Sequence, residues 1–403
     1  MAHTAWFAAE GEALEAAVEA TGRAEDTQRQ QLELENLLAC SERALATRPL
    51  LAARILHSVS AHMMKVGRGA ALLQCLDRAL AALPADAHRA VASVEVARLR
   101  ILVDHPGADV GARAEGLLAC VQALPDPALE AELWHLLASS AERAGRLDAT
   151  TEAMTAMREA ALRARSARLV GFATASLGTL ARRQGRLDEA EAAYHAALSR
   201  LGADGHVGVR AMVHWYLGVL ELHRCRMESA VHHLGRSAAL AESVGARDLL
   251  VAARINLGYA LWMSGRVVSG EALLRDALAQ ICGLWRVAAV GVMEDAFGRM
   301  LLLDGRREEA ARWLRQGLDH LPPSKERRQC GAFLAFADQL GGHLAEGRSR
   351  LAAIRHEASA LDEEETLTLL DTLEGKLPPG DPPTLALWQA RALAASATRR
   401  SAT

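Results

Sequence analysis

Ala138, Gly178, Gly218, Gly258 and Gly298 stand forty residues apart in four successive steps. A chain whose small residues return at one fixed interval folds as a tandem of like units, each resting on its neighbours, and not around a single centre. Seven residues after four of these five, at Gly145, Gly185, Gly265 and Gly305, stands a second glycine, with apolar residues recurring three and four apart on both sides of it. That spacing is the period of two amphipathic helices and not of strands. The second glycine suits a helix end, where the chain turns through a left-handed residue that only glycine adopts freely. After Gly185, the run Arg186-Leu187-Asp188-Glu189 opens the next helix with its carboxylates at the positive end of the backbone dipole.

The remaining slots are filled by kind. Gly178 and Ala190 are small because the two helices of one hairpin approach closely, and Tyr194, Ala197 and Leu198 close that hairpin. The same places hold Tyr216, Gly218, Ala230 and Leu234, then Asn256, Gly258, Leu274 and Ala277, then Phe297, Gly298, Ala310 and Leu314, with Trp134 and Ala138 earlier. This pattern resembles the tetratricopeptide repeat (TPR) over about residues 130 to 325, with a period longer than the usual thirty-four or so residues. The lengthened hairpins are similar to those of bacterial signal-responsive transcription activators, quorum-peptide receptors and animal cell-polarity adaptors. The resemblance implies an all-α, right-handed α-solenoid of TPR-like helical hairpins with a C-terminal capping helix.

Four segments are expected along the chain. Residues 1–125 hold degenerate hairpins: Trp6, Phe7, Leu14 and Val18 mark one face of a first helix, a second helix spans Asp26 to Ala46, and turns fall at Gly67 and His105 to Asp109. Residues 126–322 are the regular array. Prolines at 49, 84, 125 and 322 follow second helices, since proline cannot continue a helix. Residues 323–375 carry a hairpin about Gly341 and Gly342 and a further helix over 362–373, whose opening Asp362 to Glu365 reads either as a solvated helix cap or as a partner site. Residues 376–403 form a proline-rich hinge and a last helix with Leu385, Trp388 and Ala392 on one side; it either caps the stack or is handed to a partner, a second copy of the chain included.

Composition narrows the function. The 403 residues carry a net charge of −3, so no global basic field recruits nucleic acid or an anionic membrane. Hydrophobic residues make up 51% and aromatics only 4%, which suits closely packed helices better than sheets. No run of about eighteen uncharged apolar residues offers a membrane span, and the acidic start around Glu10, Glu12 and Glu15 is unlike a secretory signal. The six cysteines are scattered singly, which fits a reducing cytoplasm. No phosphate loop, nucleophile elbow or paired metal-binding histidines are present, so no catalytic residue, metal or cofactor is assigned. The nearest cluster, His214, His223, Cys225, His232 and His233, has poor spacing for zinc, because adjacent residues on a helix point apart.

The TPR resemblance places the first helix of each hairpin on a concave side. Carried over position by position, that side holds Arg182 and Arg183, then Met212, Trp215, Tyr216 and His223, then Asn256, Tyr259 and Trp262, and then Arg299. Four of the chain's few aromatics thus cluster on one surface. Aromatic, methionine and arginine side chains are favoured interface anchors, while a helical apolar stripe is as often core. Asn256 matches a slot where related receptors hold a peptide backbone; Ser176, Tyr216 and Ala296 stand in the neighbouring slots, so no asparagine ladder runs through the array. Two readings follow. The first is a non-enzymatic scaffold or adaptor that binds a peptide or protein segment in the concave groove. The alternative is a regulatory or sensory module of a bacterial transcription or signalling system that responds to a peptide or small effector.

Overall fold

The computed structural model describes residues 2–103, 105, 108–280, 287–376, 389, 390 and 393. The proline-rich hinge, Leu385, Trp388 and Ala392 lie outside the described residues. Among the described residues the secondary structure is helical throughout. The first three hairpins are α1 (Ala2–Thr21) with α2 (Ala24–Ala44), α3 (Pro49–Lys65) with α4 (Gly69–Ala82), and α5 (His88–Leu102) with α6 (Val110–Gln122). The next three are α7 (Pro127–Arg143) with α8 (Leu147–Arg163), α9 (Ala167–Arg183) with α10 (Leu187–Leu201), and α11 (Val207–His223) with α12 (Met227–Ser243). They are followed by α13 (Arg247–Met263) with α14 (Val267–Gln280), α15 (Val287–Leu303) with α16 (Arg307–His320), α17 (Lys325–Leu340) with α18 (Leu344–Ala360), and α19 (Glu364–Leu373). The fold is an all-α solenoid of TPR-like hairpins. No described helix is long and apolar enough to cross a membrane.

The chain divides into two compact units. One comprises Met1–Tyr216 with Ala239–Ala246; the other comprises Leu217–Ala238 with Arg247–Thr403. In the first unit, Leu34, Leu37, Ile55, Leu56, Leu72 and Leu76 form one buried cluster. Leu99, Val121, Leu133 and Leu136 form another, and Met154, Met157, Leu169 and Val170 a third. Each cluster sits between successive hairpins, as expected where a unit buries its apolar stripe only against its neighbours.

The forty-residue spacing has a direct steric cause. A methyl group on Gly178 would come within 2.8 Å of the Tyr194 ring, one on Gly258 within 2.7 Å of Leu274, and one on Gly298 within 2.7 Å of Leu314. Gly218 meets Leu234 in the same way. In all four hairpins the obstacle lies sixteen residues further on, so the small residue on the first helix and the large one on the second form a single lock. The turn glycines have the left-handed backbone that the helix reversal needs, with φ of 70° at Gly145, 78° at Gly185, 89° at Gly265 and 83° at Gly305.

Helix starts are set by side-chain caps at several places. Asp126 accepts from the Leu129 amide at 3.2 Å, with Pro127 as the first helical residue, and Ser166 and Ser324 accept likewise from Leu169 and Arg327. Pro49, expected just past a second helix, is itself the first residue of α3, because the lost N–H is one that a helix start leaves unpaired anyway.

The acidic opening of α19 is a solvated helix start only in part, with Asp362 and Glu364 exposed there. Glu363 is held by Arg328 and Glu365 by Lys325, so these carboxylates tie α19 to α17 and neither project into solvent nor form a free acidic face. The Arg328 guanidinium holds the Glu363 carboxyl below the usual range. The charge on α17 that takes them up is distant in sequence and gave no local signal.

Candidate functional site

Repeat geometry alternates the helices, so the odd-numbered, first helices of the hairpins share a face. In the first unit α3 meets α5 and α5 meets α7; in the second, α13 meets α15 and α15 meets α17. All ten residues singled out in the sequence lie on such helices, at α9, α11, α13 and α15. They fall into two groups, which are described separately.

In the first unit, Tyr194 is fully buried, and its hydroxyl lies 3.2 Å from Thr179 Oγ1. Its ring stacks on Tyr216 with centroids 5.5 Å apart and planes 23° from parallel. Trp215 adjoins Tyr216 at 5.4 Å. Burial pushes the Tyr216 hydroxyl up to about 12, with Tyr194 adding to the rise and Arg182 opposing it, so Tyr216 stays neutral at any ordinary pH. Trp215 is half-buried, yet its indole N–H has no hydrogen-bond acceptor and no contact with solvent. A buried donor without a partner is costly and is usually paired in native proteins. Met212 and Arg182 are half-buried beside this aromatic group, while Arg183 points outward and pairs with Glu142 at 2.7 Å.

In the second unit the residues are more enclosed. Tyr259 is only 4% exposed. Its hydroxyl receives a hydrogen bond from the side-chain amide of Gln389, a residue 130 positions away near the chain's end. Gln389, Ala390 and Leu393 are helical and buried. Arg299 is held by Asp295 one turn earlier, with its Nε 2.9 Å from Asp295 Oδ1, and its guanidinium lies 4.7 Å from the centre of the Phe333 ring. Its charge is therefore already matched within the unit. Asn256 donates to the Ala252 carbonyl of its own helix at 3.2 Å, and Trp262 and His223 are half-buried at the ends of α13 and α11.

Sequence reasoning did not find Gln389. A lone glutamine in a terminal helix carries no signal of its own; the clue available was that Tyr259, an amphipathic side chain in a core-like slot, needs a polar partner for its hydroxyl once buried. Around the histidine cluster, the His232 and His233 rings lie edge to face at 5.2 Å. Among the described residues no three His, Cys, Asp or Glu side chains converge to hold a metal ion.

With alternating hairpins and a locking glycine in four of them, the molecule has the architecture of a TPR-type helical-repeat protein. No family model matches the chain, and no curated protein matches it. Among solved structures it is similar to a Rap protein in complex with competence and sporulation factor, at 12% identity and a TM-score of 0.56, over 86% of this chain and 96% of that one. It is also similar to a signal transduction ATPase with numerous domains from Pyrococcus horikoshii that carries a tetratricopeptide repeat sensor, at 14% identity and a TM-score of 0.53, over 85% of this chain and 55% of that one. At such identities the likeness is one of fold.

Proposed function

We propose that this chain is a non-enzymatic recognition protein that holds a peptide or protein segment on the first-helix faces of its hairpins. The observation that carries this reading is that Tyr259, on one such face, is already engaged by a side chain from a distant part of the chain: the buried Gln389 donates its side-chain amide to the Tyr259 hydroxyl. An aromatic ring with a hydroxyl that takes a hydrogen bond from another segment offers the mixed apolar and polar chemistry that peptide recognition needs. In the other unit, Trp215 supplies a buried N–H with no acceptor, which a backbone carbonyl of a bound segment would satisfy. Met212 and Tyr216 offer adaptable and flat contact area beside it. The Rap neighbour was solved with a bound factor, and that fold-level likeness agrees with the reading. The protein works by recognition, without covalent chemistry, in the cytoplasm.

The test is affinity capture from the source cells followed by mass spectrometry, comparing the unaltered chain with Trp215→Ala and Trp262→Ala, and with Leu162→Ala on a second helix as control. Loss of the same partner in the two tryptophan variants, with folding and the control unchanged, supports the reading. Retention of every partner in both variants would contradict it.

A second reading is favoured by the same buried tail. If a peptide or small effector competes for Tyr259, release of Gln389 and Leu393 would make the chain a sensory module of a transcription or signalling system. Hydrogen exchange at Gln389 that rises when partner is added separates this from simple scaffolding, in which it stays unchanged.

A further inference from the structure

The first unit contains a cleft of about 150 Å³ on its first-helix face, between α1 and the helices α3, α5, α7, α8 and α9. Its polar wall holds three carboxyls against two guanidiniums. Arg100 on α5 pairs with Glu132 on α7 at 2.5 Å and also donates to Ser60 at 3.2 Å, and Arg168 on α9 pairs with Glu19 on α1. Arg100 only partly favours the charged form of the third carboxyl, Glu15 on α1, which has no salt-bridge partner among the described residues. It is largely withdrawn from solvent, and burial together with the like charges of Glu132 and Glu19 pushes it up to about 8. The opposite wall is apolar: Leu136, Met157, Leu169 and Phe172.

Two further atoms in the cleft wall lack partners. His135 Nδ1 and Arg168 Nε are both sealed from solvent with no hydrogen bond. The His135 ring stands edge-on to Phe172, with centroids 5.0 Å apart, and burial pulls its ionisation down to about 4, so the ring is neutral at pH 7. Arg168 Nε can only donate, and a neutral imidazole nitrogen either donates or accepts. Native proteins rarely leave such groups unpaired. The cleft therefore has, on α1, a carboxyl without a salt-bridge partner that is protonated at pH 7, and unpaired nitrogen atoms on His135 and Arg168, with apolar residues completing its lining.

We propose that this cleft binds a small ligand bearing an α-ammonium group next to a carbonyl or carboxylate oxygen, that is, a free α-amino acid or the first residue of a peptide. Glu15 takes the ammonium, Arg168 Nε and His135 take the neighbouring oxygen, and Phe172, Met157 and Leu169 receive the side chain. A volume of about 150 Å³ equals that of about five waters at roughly 30 Å³ each, which a small molecule packed more densely than a liquid can fill and a folded partner cannot enter. At pH 7 the ligand's positive charge converts Glu15 to its anion, so binding releases about one proton. The cleft shares no lining residue with the tryptophan and tyrosine group, so its failure leaves the proposed partner surface untouched.

The experiment is titration calorimetry on the full chain at pH 7 with the twenty free amino acids, the matching Xaa-Gly dipeptides and their N-acetylated forms. Binding that N-acetylation abolishes, that Glu15→Gln weakens about tenfold or more, and that releases about one proton in the unaltered chain but none in Glu15→Gln, as read from enthalpies in buffers of different ionisation heat, supports the site. Free amino acids binding more tightly than dipeptides identify the source as a metabolite, and the reverse order identifies it as a peptide N-terminus. No binding by any member of the panel, or binding indifferent to N-acetylation and to Glu15→Gln, overturns the proposal. The Glu15→Gln chain removes a poorly solvated acid and keeps its shape, and its unchanged helical circular dichroism guards against loss of fold.

Discussion

Cys225 shows how single residues depart from the repeat. It stands forty positions after Gly185 and forty before Gly265, and it has a φ of 54° in the region those glycines occupy. A side chain there strains the backbone by about 1–2 kcal/mol, partly offset by the greater unfolded-state freedom of glycine. Cys225→Gly is therefore expected to stabilise the chain by about 0.5–1 kcal/mol in denaturant unfolding, and an unchanged or lower midpoint would show that the strain is relieved elsewhere. In the sequence this cysteine drew notice as a member of a histidine cluster, while its phase marked it as a turn residue. Glu15 and His135 give a second expectation. Glu15 ionises at about 8 when folded against an ordinary value of 4.5, so the folded chain binds more protons, and stability falls as pH rises from 4.5 through 8. His135 is depressed from 6.5 to about 4, so its contribution is present above 6.5 and lost as pH falls through 4. The two oppose each other below 6.5, and only Glu15 acts between 6.5 and 8. Thermal midpoints over pH 6.5–8 should decline in the unaltered chain and flatten in Glu15→Gln; parallel slopes would contradict the assignment.

At the scale of helices, the lock between a small residue and a large one sixteen positions later explains why the regular array could be read from the sequence. A position whose occupant is limited to glycine or alanine by a neighbouring backbone repeats visibly. Gly258 faces both the Leu274 side chain and the Gly270 carbonyl, 2.7 and 2.8 Å from where a β-carbon would sit. Gly258→Val should cost about 1–3 kcal/mol or more by overpacking, measured by denaturant unfolding, and a neutral result would mean that the hairpin opens easily. What could not be read was pairing between helices distant in the chain. The ties of Glu363 to Arg328 and of Arg168 to Glu19 depend on which helices become neighbours, and long charged side chains carry no periodic mark of their partner. The candidate partner face was legible in the same uneven way. The phase placed all ten residues on first helices, but it could not show that Arg299 is neutralised by Asp295, or that Tyr259 is closed over by Gln389.

At the scale of the whole molecule, each unit places residues from a distant segment on part of its own first-helix face. In the first unit α1 brings Glu15 and Glu19 against α5, α7 and α9; in the second, Gln389 reaches Tyr259 on α13. These residues decide which stretches of that face stay available. Trp215 and Trp262, both half-buried, remain within reach of a partner, while Tyr259 is reached only if the tail leaves. The most direct measurement is photo-crosslinking in the source cells, with a photoreactive amino acid placed in turn at 215 and 262 and, on second helices, at the exposed positions Leu162 and Val268. Crosslinks to one partner from 215 or 262, with 162 and 268 silent, are the expected result. Crosslinks to a partner from 162 or 268 alone would place recognition on the opposite helices and contradict the account.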